Sequence, residues 1–142
     1  MDYTVKKVEV WASDIMNRPG TLARVLEALR NAGAQMEFMI ARRVSEDTSR
    51  VFLAPLKGVK QKRAAADVGL VPAKGMHSLR VEGPDRPGLG ATLARAFGDQ
   101  GVNLRGASAA AVGRRAVFYF AFADESDLSK AAGIVRKALR KK

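Results

Sequence analysis

One stretch of this chain is written twice. Residues 17–38 align without a gap to residues 85–106, at an offset of 68. Arg18/Arg86, Pro19/Pro87, Gly20/Gly88, Ala23/Ala91, Ala28/Ala96 and Gly33/Gly101 are identical. The pairs Val25/Leu93 and Leu29/Phe97 are apolar in both copies. Identity at turn and cap positions, with helical apolar spacing between them, means that the two halves share a fold. Two copies make a tandem pair of small domains rather than a solenoid. A length of 142 residues with 47% hydrophobic content holds two such units. The expected boundaries are 1–73 and 74–142.

Each unit reads as β-α-β-β-α-β. "TVKKVEVWA" alternates imperfectly, as a strand. Pro19 stands where a first-turn proline is tolerated, and Leu22, Val25, Leu26 and Leu29 follow helical spacing. Gly33 closes that helix. "AQMEFMIARRV" is a strand, "SEDTS" a hairpin turn and "RVFLAPL" the returning strand. "VKQKRAAADVG" is a shorter helix, and Leu70-Val71 a brief last strand. The second unit repeats the order. "HSLRVEG" is a strand, "GLGATLARAFGDQ" a helix, and "VNLRGASAAAV" with "RAVFYFAFA" a hairpin around Gly113-Arg114. The final helix, "ESDLSKAAGIVRKALRKK", is capped by Asp124 or Ser126. No last strand follows it, so one sheet edge needs cover from the other repeat, the N-terminus or a partner chain. The expected class is α+β: two ferredoxin-like βαββαβ units, each an antiparallel sheet with helices on one face.

Composition narrows the function classes. There are no cysteines, which removes disulfides and thiolate metal sites and fits a cytoplasmic setting. The single histidine, His77, has no second ligand nearby in the sequence, so no metal and no cofactor is expected. No apolar run suits a membrane span, and the start "MDYTVKKVEVW" lacks the apolar region of a secretory signal. The net charge is +11. Residues 74–142 carry +7 of it, and "VRKALRKK" ends the chain. Such a tail either attracts acidic partners or places cations where a helix C-terminus favours them.

The duplicated corner carries the chemistry. "NRPG" and "DRPG" stand between a strand and a helix. Glycine lets the backbone approach closely, and a helix N-terminus offers free N–H groups to a carboxylate. Asn17 or Asp85 adds an acceptor suited to an ammonium group. Together these complement a free amino acid. The competing reading is a helix N-cap, for which Asn and Asp are preferred residues. The same tetrapeptide register in two diverged halves favours the ligand.

Strand, "(N/D)RPG", amphipathic helix, then Gly33-Ala34-Gln35 or Gly101-Val102-Asn103 opening the next strand resembles the ACT domain, twice over, across residues 4–73 and 77–140. The corner is similar to that of the phosphoglycerate dehydrogenase regulatory domain. The resemblance implies a regulatory fold without catalytic activity that binds amino acids between paired domains. Its implied contacts are Asn17, Arg18, Pro19, Gly20, Thr21 and Gln35 in the first copy. In the second they are Asp85, Arg86, Pro87, Gly88, Leu89 and Asn103. Asn17 and Asn103 match the two asparagines that hold one ligand in that relative. Ile15 stands where the relative has a histidine. The partners implied are a small-molecule ligand, a second copy of the chain or a regulated enzyme.

Two other classes compete. A basic β-α-β-β-α-β fold can bind RNA on aromatic strand residues, but Phe118, Phe120 and Phe122 share a face suited to the core, leaving Tyr119 as the one ring on the other face. An enzyme is not expected: no nucleophile–histidine arrangement or phosphate-binding glycine motif is present. A dimerisation module without a ligand is the remaining reading.

Overall fold

The computed structural model describes residues 2–140. The chain divides into two compact units: Glu9–Ala73, and the chain up to Val8 together with the chain from Lys74 onward. Each is an α+β unit with a four-stranded antiparallel sheet and two helices, the ferredoxin-like arrangement expected from the repeat.

In Glu9–Ala73 the elements are β2 (Trp11–Met16), α1 (Thr21–Asn31), β3 (Phe38–Arg43), β4 (Thr48–Ala54), α2 (Gly58–Asp67) and β5 (Val71–Pro72), following a strand β1 (Thr4–Val8) that belongs elsewhere. The sheet order is β3-β4-β2-β5. Val25 and Leu29 of α1 are buried with Trp11, Val51, Leu53, Leu56, Ala65 and Leu70, while Leu22 and Leu26 pack against that core. Helix α1 ends in a Schellman motif: Gly33 N–H donates to the Arg30 carbonyl (2.9 Å) and Ala34 N–H to the Leu29 carbonyl (3.0 Å). Gly33 takes φ 83°, the left-handed conformation this closure requires.

The other unit holds β6 (His77–Pro84), α3 (Leu89–Asp99), β7 (Gly106–Val112), β8 (Arg115–Phe122) and α4 (Glu125–Arg140). Asp124 Oδ1 accepts from the Asp127 N–H at 2.8 Å, so Asp124 rather than Ser126 caps α4. The expected helix reached further, to residues 141 and 142, which lie outside the described residues together with the end of the basic tail. Phe97 of α3 meets Phe120 and Phe122 edge-on, with ring centroids 5.1 and 5.4 Å apart. The strand's phenylalanines do face the helices, as their alternation indicated.

The sheet order here is β1-β6-β8-β7. The segment read as a single strand over residues 4–12 is two strands in two sheets, and β1, expected in the first repeat, completes the second. The physical reason is legible in the pattern. One face of a continuous strand would carry Val5, Lys7, Glu9 and Trp11, and the other Lys6, Val8, Val10 and Ala12. Neither face is continuously apolar, so the chain breaks at Glu9-Val10 and sends Val5 and Trp11 into different cores. Strand β1 pairs antiparallel with β6, from Thr4 opposite Glu82 to Val8 opposite Ser78. It holds beside β6 the position that β5 holds beside β2. Side chains fasten it. Arg136 of α4 donates to the Val5 carbonyl (3.1 Å), and Lys7 pairs with Glu125 (3.0 Å). The Lys7 ammonium hydrogen-bonds the Glu125 carboxyl and holds it below its usual range. Tyr3 donates to the Pro84 carbonyl (2.8 Å), and its ring fills the space where a Cβ on Gly83 would stand.

That last contact gives a test. Gly83→Ala drives a methyl into the Tyr3 ring and is expected to cost about 1–3 kcal/mol in urea unfolding. In a Tyr3→Ala background the same change is expected to cost markedly less, a non-additivity that a double-mutant cycle measures.

Glycine conformation gives a second. Gly20 (φ 90°) and Gly88 (φ 81°) precede α1 and α3 with open space around the position of a Cβ. Gly20→Ala and Gly88→Ala should therefore each lose about 1–2 kcal/mol from backbone strain alone. Gly133→Ala, inside α4 and equally unobstructed, should gain about 0.5–1 kcal/mol. Equal effects at all three positions would refute the strain account.

Candidate ligand-binding corners

The repeated tetrapeptide is a tight turn that launches a helix. Thr21 N–H donates to the Arg18 carbonyl at 3.3 Å, and Leu89 N–H to the Arg86 carbonyl at 3.3 Å. Proline therefore occupies the second position of each turn, where its fixed φ is already suitable, and glycine the third. Gly20 at φ 90°, ψ −13° and Gly88 at φ 81°, ψ 2° have the geometry of a type II turn, which demands φ > 0 there. Pro19 thus precedes α1 instead of sitting in its first turn, as the sequence spacing suggested.

Both corners are tied by their backbones to the hairpin turn of their own sheet. Asn17 N–H donates to the Asp47 carbonyl and Asp85 N–H to the Arg114 carbonyl, each at 2.8 Å. The two repeats therefore build the corner in the same way, down to this bond.

The N-cap reading does not hold. The N-caps are Gly20 and Gly88, and neither helix has a side-chain cap. Asn17 instead donates its amide N–H to the Glu46 carbonyl at 3.0 Å, and its Oδ1 lies 3.4 Å from the Ser49 hydroxyl. The first helical bonds are Arg24 N–H to Gly20 and Thr92 N–H to Gly88. The amides of Leu22 and Ala23, and of Gly90 and Ala91, therefore head their helices with no intrahelical acceptor. They carry the positive end of the helix dipole.

The two corners then differ. At the first, Asn17, Arg18, Pro19 and Gly20 are exposed. The Thr21 hydroxyl braces the turn, 2.6 Å from the Met16 carbonyl and 3.0 Å from that of Arg18. A cavity of about 280 Å³ opens beside it, with Asn17, Arg18, Thr21, Arg42, Arg43 and Ser49 on its walls. Arg42 lays its guanidinium over the Phe52 ring on the other face of the sheet, 5.8 Å from the centroid, so Arg18 and Arg43 are the arginines that, with the helix N-terminus, suit a carboxylate. Arg42, Arg43 and Ser49 were not among the sequence candidates. Their signal was present: "FMIARR" ends an otherwise apolar strand on two adjacent cations. Nearby, Arg50 hydrogen-bonds the Asp14 carboxylate directly across β2 and β4 at 2.6 Å and lowers its pKa.

At the second corner Asp85, Arg86, Pro87 and Gly88 are also exposed, but Arg86 lies over the Tyr3 ring, 5.8 Å from its centroid. Leu89, a sequence candidate for ligand contact, is 2% exposed and belongs to the core. It replaces Thr21 with a packing residue, so this corner lacks the hydroxyl brace.

Gln35 and Asn103 are exposed in the loops that follow α1 and α3. Each is separated from the corner of its own repeat by an eleven-residue helix, about 16 Å long. A repeat does not bring its corner and its Gln35 or Asn103 onto one small ligand.

The aromatic strand offers no stacking platform through Tyr119. That ring is 9% exposed, and its hydroxyl accepts from Arg80 at 3.0 Å. Arg80 and Arg115 also hydrogen-bond Glu82 and hold its carboxyl below the usual range. Among the described residues, no group of three or more His, Cys, Asp or Glu side chains is placed to hold a metal ion. No helix among the described residues is long and apolar enough to cross a membrane.

Residues 77–140 match the family model described as the ACT domain. No curated protein sequence matches significantly. Among solved structures, the chain is similar to protein BT0572 from Bacteroides thetaiotaomicron, with a TM-score of 0.79 and 14% identity over 94% of this chain and 89% of that one. It is also similar to the ligand-free regulatory subunit of aspartate kinase from Thermus thermophilus, with a TM-score of 0.66 and 15% identity over 97% of each chain. Clostridium acetobutylicum aspartate kinase gives a TM-score of 0.64 at 16% identity over 96% of this chain and 34% of its own. These structures agree with the fold of both repeats, and the family match lies on the second. The ACT-domain match therefore rests on the second repeat, and the first shares its fold.

Proposed function

We propose that this chain is a regulatory module that binds a free amino acid at the N-terminal corners of its ACT-like repeats and does no chemistry of its own. The observation that carries the reading is the uncapped helix start at each "RPG" turn. Two backbone amides and the positive end of a helix dipole are left without a side-chain cap. At the first corner, Arg18 and Arg43 add cations around a cavity of about 280 Å³. The ligand carboxylate belongs there. Its ammonium group needs acceptors, and the corner offers the side-chain oxygen of Asn17 or Asp85. A second contact of the Asn103 or Gln35 kind must come from a paired repeat, because within one repeat the helix holds it about 16 Å away. Ligand then favours the paired arrangement by its differential affinity, and a partner protein reads that population shift.

A stability screen of the protein against the twenty amino acids tests this. A ligand at about 100 times its Kd should add about 2.7 kcal/mol. Asn17→Ala and Asn103→Ala should each abolish the gain, whereas Val112→Ser, 79% exposed on β7, should leave it intact. A flat response to every amino acid would refute the ligand reading.

One observation favours assembly as a second role. Strand β3 lies at a sheet edge and exposes Met39 (44%) and Ile40 (37%). Such an edge is a template for another strand. If copies associate there, Ile40→Lys should convert the species seen by light scattering into monomer while leaving the circular dichroism spectrum unchanged.

A further inference from the structure

The helix layer of the second repeat contains a groove of about 750 Å³ between α3 and α4. Its floor is made of small residues, Ala96, Gly133 and Ala138, with Ile134 as the one large apolar group. Its walls carry Arg86, Arg95, Lys130 and Lys137 against a single acid, Asp99. Asp99 lies 3.8 Å from Arg95, so its charge offsets that arginine. Lys130 and Lys137 are exposed and have no ion pair among the described residues.

The repeat points to the same face. Ala28 and Ala96 are identical across the two copies, yet neither belongs to a buried core. Ala28 lines the corresponding groove of the first repeat, about 460 Å³ between α1 and α2, with Ala32 and Ala64. Both helix layers therefore keep an alanine at this position outside the buried core, while Ile134 and Ala138 of the groove also pack against the core of the second repeat.

We propose that the α3/α4 groove is the docking site for an acidic amphipathic helix of a partner protein. Lining residues run from Thr92 to Asp99 on α3, with Gln100 at its cap, and from Lys130 to Ala138 on α4, about 10 and 12 Å, or about two turns of each helix. Small residues on both walls let a third helix approach at the 8–10 Å axial separation of packed helices. Ile134 supplies an apolar contact for its inner face, and the unneutralised Arg86, Lys130 and Lys137 supply partners for acidic residues at its margins. A polynucleotide would use the cations but not Ile134 or the small residues beside it. The proposal does not depend on the corners binding an amino acid.

The test uses the full chain and a synthetic peptide of about four helical turns, with Leu on one face and Glu on the other. Fluorescence anisotropy reads its binding. Its controls are a scrambled peptide of identical composition, a peptide with Lys in place of Glu, and a short single-stranded RNA. Lys130→Glu combined with Lys137→Glu changes only exposed positions, and circular dichroism verifies its fold. Affinity is expected to fall at least about ten-fold in this variant, equivalent to about 1.4 kcal/mol. Gly133→Leu fills the floor without reversing charge and should weaken binding comparably. Lys60→Glu combined with Arg63→Glu makes the same charge change in the first repeat and should leave affinity within about two-fold, a shift of less than about 0.5 kcal/mol. Absence of peptide binding, equal binding of the scrambled peptide, or insensitivity to Gly133→Leu overturns the proposal. RNA binding that the Lys130/Lys137 variant abolishes, without peptide binding, would assign the groove to nucleic acid and overturn it as well.

Discussion

The antiparallel pairing of β1 with β6 is the constraint on which the second repeat depends. Without it, β6 would be an edge with open backbone donors and acceptors, and the strand carrying Val5 would be missing from the core. Helix α4 lies over this junction, with Arg136 bonded to the Val5 carbonyl and Glu125 to Lys7. Tyr3 extends the pairing toward the corner, bonding Pro84 and lying beneath Arg86. Residues at the start of the chain thus complete the sheet, anchor the last helix and hold the arginine of a candidate site. The family match begins at residue 77, beyond the segment that completes this sheet.

The corners show how one turn can be conserved within a chain while its use diverges. Proline and glycine are retained in both because a type II turn needs a preset φ followed by a positive one. The residues on either side are free to vary. Asn17 ties the first corner to its hairpin, while Thr21 braces the turn with its hydroxyl. In the second, Leu89 turns inward to pack, and Arg86 rests on an aromatic ring. The first corner is the better equipped of the two for a carboxylate, since Arg18 and Arg43 line a cavity beside its helix N-terminus. The second-copy stretch from Asp85 to Gly106 keeps the same turn and helix, with a different set of contacts at its start.

Much of the fold was legible. Offsets, helical spacing and the glycine closures placed α1 and α3 correctly because these depend on neighbours three and four residues apart. The alternation of Phe118, Phe120 and Phe122 gave the right inner face because strand periodicity is local as well. The site was only partly legible. "RPG" identified the turn, but the competing reading of Asn17 as a cap fails because Gly20 holds the cap position and Asn17 bonds the Glu46 carbonyl, 29 residues away. Arg43 and Ser49 come beside Asn17 only because β3 and β4 form a hairpin whose turn lies under the corner. Tyr119 looked available for stacking, yet burial and Arg80 remove it, and no local pattern carries that information.

By itself the sequence determined that two copies of one unit exist, that each is α+β, and that each opens its first helix on a proline–glycine turn. Those features follow from periodicity and from the conformational limits of two residue types. The tertiary structure decided which sheet each strand joins, which glycine makes room for a ring, and which side chains stand beside each corner. Strand pairing joins residues more than seventy positions apart, as Val5 and Val81 are. Imperfect alternation between Thr4 and Ala12 read as one strand, and neither its break at Glu9-Val10 nor the destination of each half was local information. That is settled only by which core has room for Val5 and which for Trp11.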